Sequence, residues 1–134
     1  MMLGCKDPYT QVPIAPTATV STDWTEIRPK QPLHWTQPAE EFIFHIDTPH
    51  DIGPHAEVVG PDGQKAIPDV ELVASDGKTY PMDEHGFWGE DVFFSREKLA
   101  DSVSIQAIRM RSSLPLRISN LRWTGYDPAK VKNQ

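Results

Sequence analysis

Apolar and polar positions along this chain alternate in short runs, and Pro or Gly interrupts nearly every one of them. That pattern predicts strands rather than helices. Glu41-Phe42-Ile43-Phe44-His45-Ile46-Asp47 is β-branched and aromatic and carries apolar residues on both faces, which predicts a central strand. Asp69–Ala74 places Val70, Leu72 and Ala74 on one face, and Lys78–Met82 resumes the extended pattern. Asp76-Gly77 between these runs predicts a hairpin whose two central turn residues have positive φ. Phe87-Trp88 and Val92-Phe93-Phe94 flank Gly89-Glu90-Asp91 and predict a strand pair or a bulged strand, preceded by a polar loop at Asp83-Glu84-His85-Gly86. Ser102–Met110 predicts a strand with Val103, Ile105 and Ala107 on one face and Ile108 and Met110 on the other. Pro115–Trp123 predicts the last strand, with Leu121 and Trp123 facing away from Leu116 and Ile118. Shorter extended pieces are expected at Trp24–Ile27, Leu33–Trp35 and His55–Val59, and Ser95 is placed to cap a single helical turn over 96–100.

About eight short strands with little helix predict an all-β fold, an antiparallel two-sheet β-sandwich of jelly-roll-like type. The 134 residues suit one domain, large enough to bury a core without disulfides. The expected division is a flexible Pro-rich lead over residues 1–21, the sandwich over 22–126 and a polar tail over 127–134. The 13 prolines, spread from Pro8 to Pro128, fit many loops and exclude a helical bundle. A net charge of −6 argues against nucleic acid as partner. Arg109, Arg111, Arg117 and Arg122 make the C-terminal third locally basic, and they are expected to lie on a solvated sheet face.

One cysteine, Cys5, excludes an internal disulfide. No apolar run approaches the ~20 residues of a transmembrane helix. The opening Met1-Met2-Leu3-Gly4-Cys5 resembles the end of a bacterial lipobox, in which a small residue precedes the cysteine that receives lipid. That resemblance implies a lipid-anchored, periplasmic or extracellular protein of the cell envelope, tethered through Cys5.

The run from Val103 to Trp123 resembles the closing strand pair of galactose-binding-like jelly rolls: a strand, a short polar turn at Arg111-Ser112-Ser113-Leu114, and a final strand that closes the sandwich. The resemblance covers the C-terminal third of the chain. It implies a jelly roll and a carbohydrate-binding or adhesive accessory module. It assigns no ligand residue by position, because the loops that bind in that superfamily follow no fixed motif.

The residues themselves offer three candidate chemistries. His45 and Asp47 share a strand face, as do His55 and Glu57; if their strands pair, the four converge on a divalent site suited to Zn²⁺. The acidic run Asp83-Glu84-His85-Gly86, with Glu90 and Asp91, is a candidate oxygen-ligand site for Ca²⁺. Among the four tryptophans, Trp88 and then Trp35 have the loop-like, Gly- and Pro-flanked setting in which an exposed indole stacks on a sugar, with Glu90 and Asp91 as polar companions. Trp123, Phe42 and Phe44 are assigned to the core. No nucleophile elbow, phosphate-cradling loop or H-E-x-x-H spacing is present. The leading expectation is therefore a non-catalytic binding module of an exported protein, taking carbohydrate or another envelope component. The alternatives are a metal-binding protein or small metal-dependent enzyme built on His45, Asp47, His55 and Glu57, and a structural component of an envelope assembly.

Overall fold

The computed structural model describes residues 9–35, 40–53, 57–95 and 103–126. These form an all-β, wholly antiparallel, sandwich-like fold. Its strands are β1 (Tyr9–Val20), β2 (Thr25–Ile27), β3 (Leu33–Trp35), β4 (Glu41–Ile46), β5 (Asp51–Ile52), β6 (Val58–Val59), β7 (Lys65–Ala66), β8 (Asp69–Ala74), β9 (Thr79–Trp88), β10 (Asp91–Ser95), β11 (Val103–Arg111) and β12 (Leu116–Tyr126). The main path runs β1-β12-β4-β10-β9-β8-β11-β2, with β3 also paired to β11, and β5-β6-β7 make a separate small sheet. The first half of β9 pairs with β8 and the second half with β10. One strand therefore runs from a front layer (β1, β12, β4, β10 and the end of β9) into a back layer (the start of β9, β8, β11, β2 and β3).

Both layers contribute to one core. Phe42, Phe44 and Ile46 of β4, Val92 and Phe94 of β10, and Leu116, Ile118, Leu121 and Trp123 of β12 pack with Val70 and Leu72 of β8 and Ile105, Ile108 and Met110 of β11. β4 is flanked by β12 and β10 and buries Ile43 as well, so the strand that is apolar on both faces is central, as expected. β8 follows the expected alternation, with Val70, Leu72 and Ala74 inward.

Bulges change the predicted faces elsewhere. In β11 the register shifts between Ile105 and Ala107, one extra residue opposing β8. Ile105 then lies opposite Ala74, and Ile108 and Met110 opposite Leu72 and Val70. These three β11 side chains therefore share the inner face, and the expected division between Ile105 and Ile108/Met110 is overturned. β12 repeats the device: its register shifts between Ser119 and Arg122, Asn120 takes φ 50°, and Leu116, Ile118, Leu121 and Trp123 are all buried. The expected opposition of Leu121/Trp123 to Leu116/Ile118 is likewise corrected.

The lead does not stay free through residue 21. From Tyr9 onward it is strand β1, paired along its length with β12 and burying Ile14 and Val20. Pro13 and Pro16 are tolerated because β1 is an edge strand, where one side needs no donors. Residues 9–20 thus belong to the fold rather than to a free lead. The expected turn at 96–100, His55, Cys5 and the tail at 127–134 lie outside the described residues.

The hairpin at Asp76-Gly77 exists, but its turn differs from the expected one. Gly77 has φ 88°, and Asp76 is not positive. Gly77 N–H donates to the Ala74 carbonyl, Ala74 N–H to the Lys78 carbonyl, and Lys78 N–H to the Asp76 carboxylate. This is a three-residue loop ending in a left-handed glycine, the type I turn plus G1 bulge.

Candidate functional site

The chemistry gathers on the outer face of the front layer. Residues directly opposed on antiparallel strands project to the same face. Trp88 opposes Asp91, Asp91 opposes His45, His45 opposes Ser119 and Ser119 opposes Thr17. These residues form one row across five strands, about 19 Å from end to end at about 4.8 Å per strand.

Trp88 belongs to this row because of a bulge. Phe93 opposes Gly86 while Phe94 opposes Glu84, so His85 is the extra residue in β9. Met82 and Glu84 oppose the inward-facing Val70 and Phe94. Unbroken alternation would carry Trp88 to that same inner side. The bulge at His85 reverses the parity and turns Trp88 outward, where it is 81% exposed. Gly86 supplies the φ of 139° at the bulge, and Gly89, with φ 61° in the first central position, closes the two-residue turn into β10. The expected polar loop at Asp83–Gly86 is thus part of β9. Its side chains are divided between faces, which removes the loop geometry on which the calcium expectation rested.

His45 is the hub of the row. Its Nδ1 lies 3.2 Å from Asp91 Oδ1, and its Nε2 lies 3.3 Å from Glu90 Oε2 and 3.8 Å from Asp47 Oδ1. Arg122 Nη2 donates to Asp91 Oδ2 at 3.1 Å, and Arg122 Nη1 to the Asn120 carbonyl at 2.9 Å. Ser119 Oγ donates to Asp47 Oδ1 at 3.0 Å. Asp91 is held from both sides, one oxygen toward the imidazole and the other on a guanidinium whose side chain is only 12% exposed. Glu90, at the turn, stays 59% exposed. The result is a fixed polar floor beside an indole open to solvent. Beyond Asp47 the surface dips into a depression of about 460 Å³ lined by Thr17, Thr19, Asp47 and Arg117. A second groove, about 540 Å³, lies along edge strand β1 beside Val12, Ile14 and Pro29 and is mainly apolar.

Of the described residues proposed for a divalent site, His45 and Asp47 lie together and Glu57 lies apart from them; His55 is outside the described residues. β4 pairs with β12 and β10, and β6, the described strand of the expected 55–59 piece, pairs with β5 and β7 rather than with β4. Glu57 is buried at the small sheet, its carbonyl accepting from Gly53 N–H at 2.8 Å. Among the described residues no group of three or more His, Cys, Asp or Glu side chains is arranged to hold a metal ion. Trp35 lies in β3 opposite Val103, and its side chain is outside the described residues. Trp88, Glu90 and Asp91 do come together, and they are joined by His45, Asp47, Ser119 and Arg122. The last two were not anticipated as site residues. Arg122 was assigned to a solvated face, but it is largely covered and paired.

Among the described residues no helix is long and apolar enough to cross a membrane. Comparison with protein-family models, with curated proteins and with solved structures returns no significant match.

Proposed function

We propose that this chain is a non-catalytic β-sandwich binding module that takes a carbohydrate of the cell envelope on the outer face of its front layer. The observation that carries the reading is the 81% exposure of Trp88, in register with Asp91, His45 and Ser119. An exposed indole offers little to folding. It does offer a flat apolar surface to the C–H face of a sugar ring, while the neighbouring carboxylates, imidazole and hydroxyl accept or donate to the ring's hydroxyls. A flat row of this length suits an extended oligosaccharide better than a single sugar. The export and lipid anchor rest on the resemblance of Leu3-Gly4-Cys5 to a lipobox, with Cys5 only four positions before the start of β1. A lipid there would hold this layer close to the membrane surface.

A glycan array followed by calorimetric titration tests the reading. The expected result is binding of an envelope oligosaccharide, lost in Trp88→Ala while the far-ultraviolet spectrum stays unchanged. Equal binding by Trp88→Ala, or no glycan bound by either protein, overturns it.

A further inference from the structure

The back layer carries a second arrangement built from the same kinds of residue. Trp24 lies on its outer face with the guanidinium of Arg109 4.6 Å and that of Arg111 4.3 Å from its ring. Each arginine is also held by a carboxylate on the neighbouring strand: Arg109 by Glu71 at 2.9 Å and Arg111 by Asp69 at 3.0 Å. An indole, cations on it and carboxylates beside the cations make one closed unit. The front layer repeats two of its three parts. Trp88 opposes Asp91 and lies two residues from Glu90, with Asp47 beside His45. Arg122, the guanidinium bonded to Asp91, points its other nitrogen to the Asn120 carbonyl, away from the turn that carries Trp88. Asp47, Glu90 and Asp91 face the Arg122 guanidinium and the His45 imidazole, Arg117 lies beside Asp47 at the end of the face remote from Trp88, and among the described residues no arginine or lysine covers the Trp88 ring.

We infer that the ligand supplies the missing cation, and that the sugar taken by this site is an amino sugar with a free ammonium group. This rests on the carbohydrate reading of the Trp88 face and narrows it. The ammonium sits over or beside the indole, where the ring's negative face attracts it, and is bonded by Glu90 at the exposed turn. The sugar ring runs along the row toward His45 and Ser119. An N-acetylated sugar brings no charge, and an acidic sugar meets like charge from Asp47, Glu90 and Asp91.

The test is calorimetric titration of the full chain with short oligomers of glucosamine, of N-acetylglucosamine and of galacturonic acid, at low and high salt. Glucosamine oligomers are expected to bind at least about tenfold tighter than the acetylated ones at low salt, with the margin shrinking as salt rises. Glu90→Gln, at an exposed turn position, is expected to remove most of that margin, weakening the glucosamine oligomer several-fold more than the acetylated one. Trp88→Ala is expected to lose both ligands. Equal or tighter binding of the acetylated or acidic oligomer overturns the amino-sugar inference and leaves the carbohydrate reading standing. Undiminished glucosamine binding by Trp88→Ala also overturns it, because charge alone would then hold the ligand. Failure of every oligomer to bind counts against the carbohydrate reading itself.

Discussion

The two outer faces of this sandwich use the same materials to different ends. On the back layer, Arg109 and Arg111 lie directly across from Glu71 and Asp69 and together cover Trp24. In these two pairs each charge is answered by a cross-strand neighbour, and the indole is spent on the protein's own cations. On the front layer the charges converge on His45 and Asp91, and Trp88 is left open. A face whose groups satisfy one another stabilises the fold. A face that keeps an aromatic surface and exposed carboxylates in fixed register is the one on which we propose that ligand binds. The contrast also shows that cationic side chains do not by themselves mark a site: of the four arginines that make the C-terminal third basic, Arg109 and Arg111 belong to the closed face and Arg122 to the open one.

The sharpest way to break this comparison is to remove part of the front layer. Deleting residues 1–20 strips β1 from β12, withdraws Ile14 and Val20 from the core and leaves the long β12 as a bare edge. The expected outcome is loss of the cooperative thermal transition, or a fall in Tm of well over about 10 °C. An unchanged Tm would restore residues 9–20 to the status of a tether. The next largest contrast compares one ion pair from each face. Asp91→Ala leaves the covered Arg122 without its carboxylate and is expected to cost about 2 kcal/mol or more in a denaturant melt. Asp69→Ala removes the partner of Arg111 in a pair whose side chains are 47% and 61% exposed, and is expected to cost well under about 1 kcal/mol. If the two losses prove equal, burial does not separate the faces as argued.

The tryptophans give a smaller test. Trp24→Ala uncovers two arginines and is expected to destabilise by about 1–2 kcal/mol. Trp88→Ala is expected to change stability by no more than about 0.5 kcal/mol, with its effect confined to ligand binding. A large stability loss on removing Trp88 would mean that its side chain is part of the fold.

Much of this was legible in the sequence, and the misses share a cause. The all-β class, the central β4, the inward face of β8 and the hairpin beyond it follow from periodicity and turn chemistry. The errors lie at bulges. Strict alternation assigned Ile105 and Ile108 to opposite faces, and Ile118 and Leu121 likewise. A bulge at each break returned them to one core. The signal was present, because two large apolar residues three apart within a strand cannot both be inward without an inserted residue. Trp88 was chosen as an exposed aromatic from its glycine neighbours, and the bulge at His85 is the reason the choice coincides with the structure. His45 was singled out for its neighbours in sequence, yet its main partners Glu90 and Asp91 come from β10 and its turn. Only the sheet order brings those together. β1 was missed because prolines and threonines read as linker unless the edge position that tolerates them is known.

The smallest expected effect lies at the far end of the open face. Glu41 is on β4, two strand positions from Ile43 and four from His45, so it shares their outward side. Burial pushes its carboxyl above the ordinary glutamate value, and the charge of His85 opposes the shift in part. A carboxyl whose folded pKa exceeds its unfolded one favours folding in the protonated form. Its contribution is full below the unfolded pKa and is lost as pH rises through the folded value. At neutral pH the ionised Glu41 is therefore a small cost to the fold. Glu41→Gln removes that cost, and the variant is expected to melt slightly above the parent at neutral pH. The difference should shrink to nothing as pH falls through and below the glutamate range. Thermal melts of the two proteins across the acid-to-neutral range decide it. A variant that melts below its parent at neutral pH would mean that Glu41 is held there as a paired anion, and that the open face is more nearly closed at this end than at Trp88.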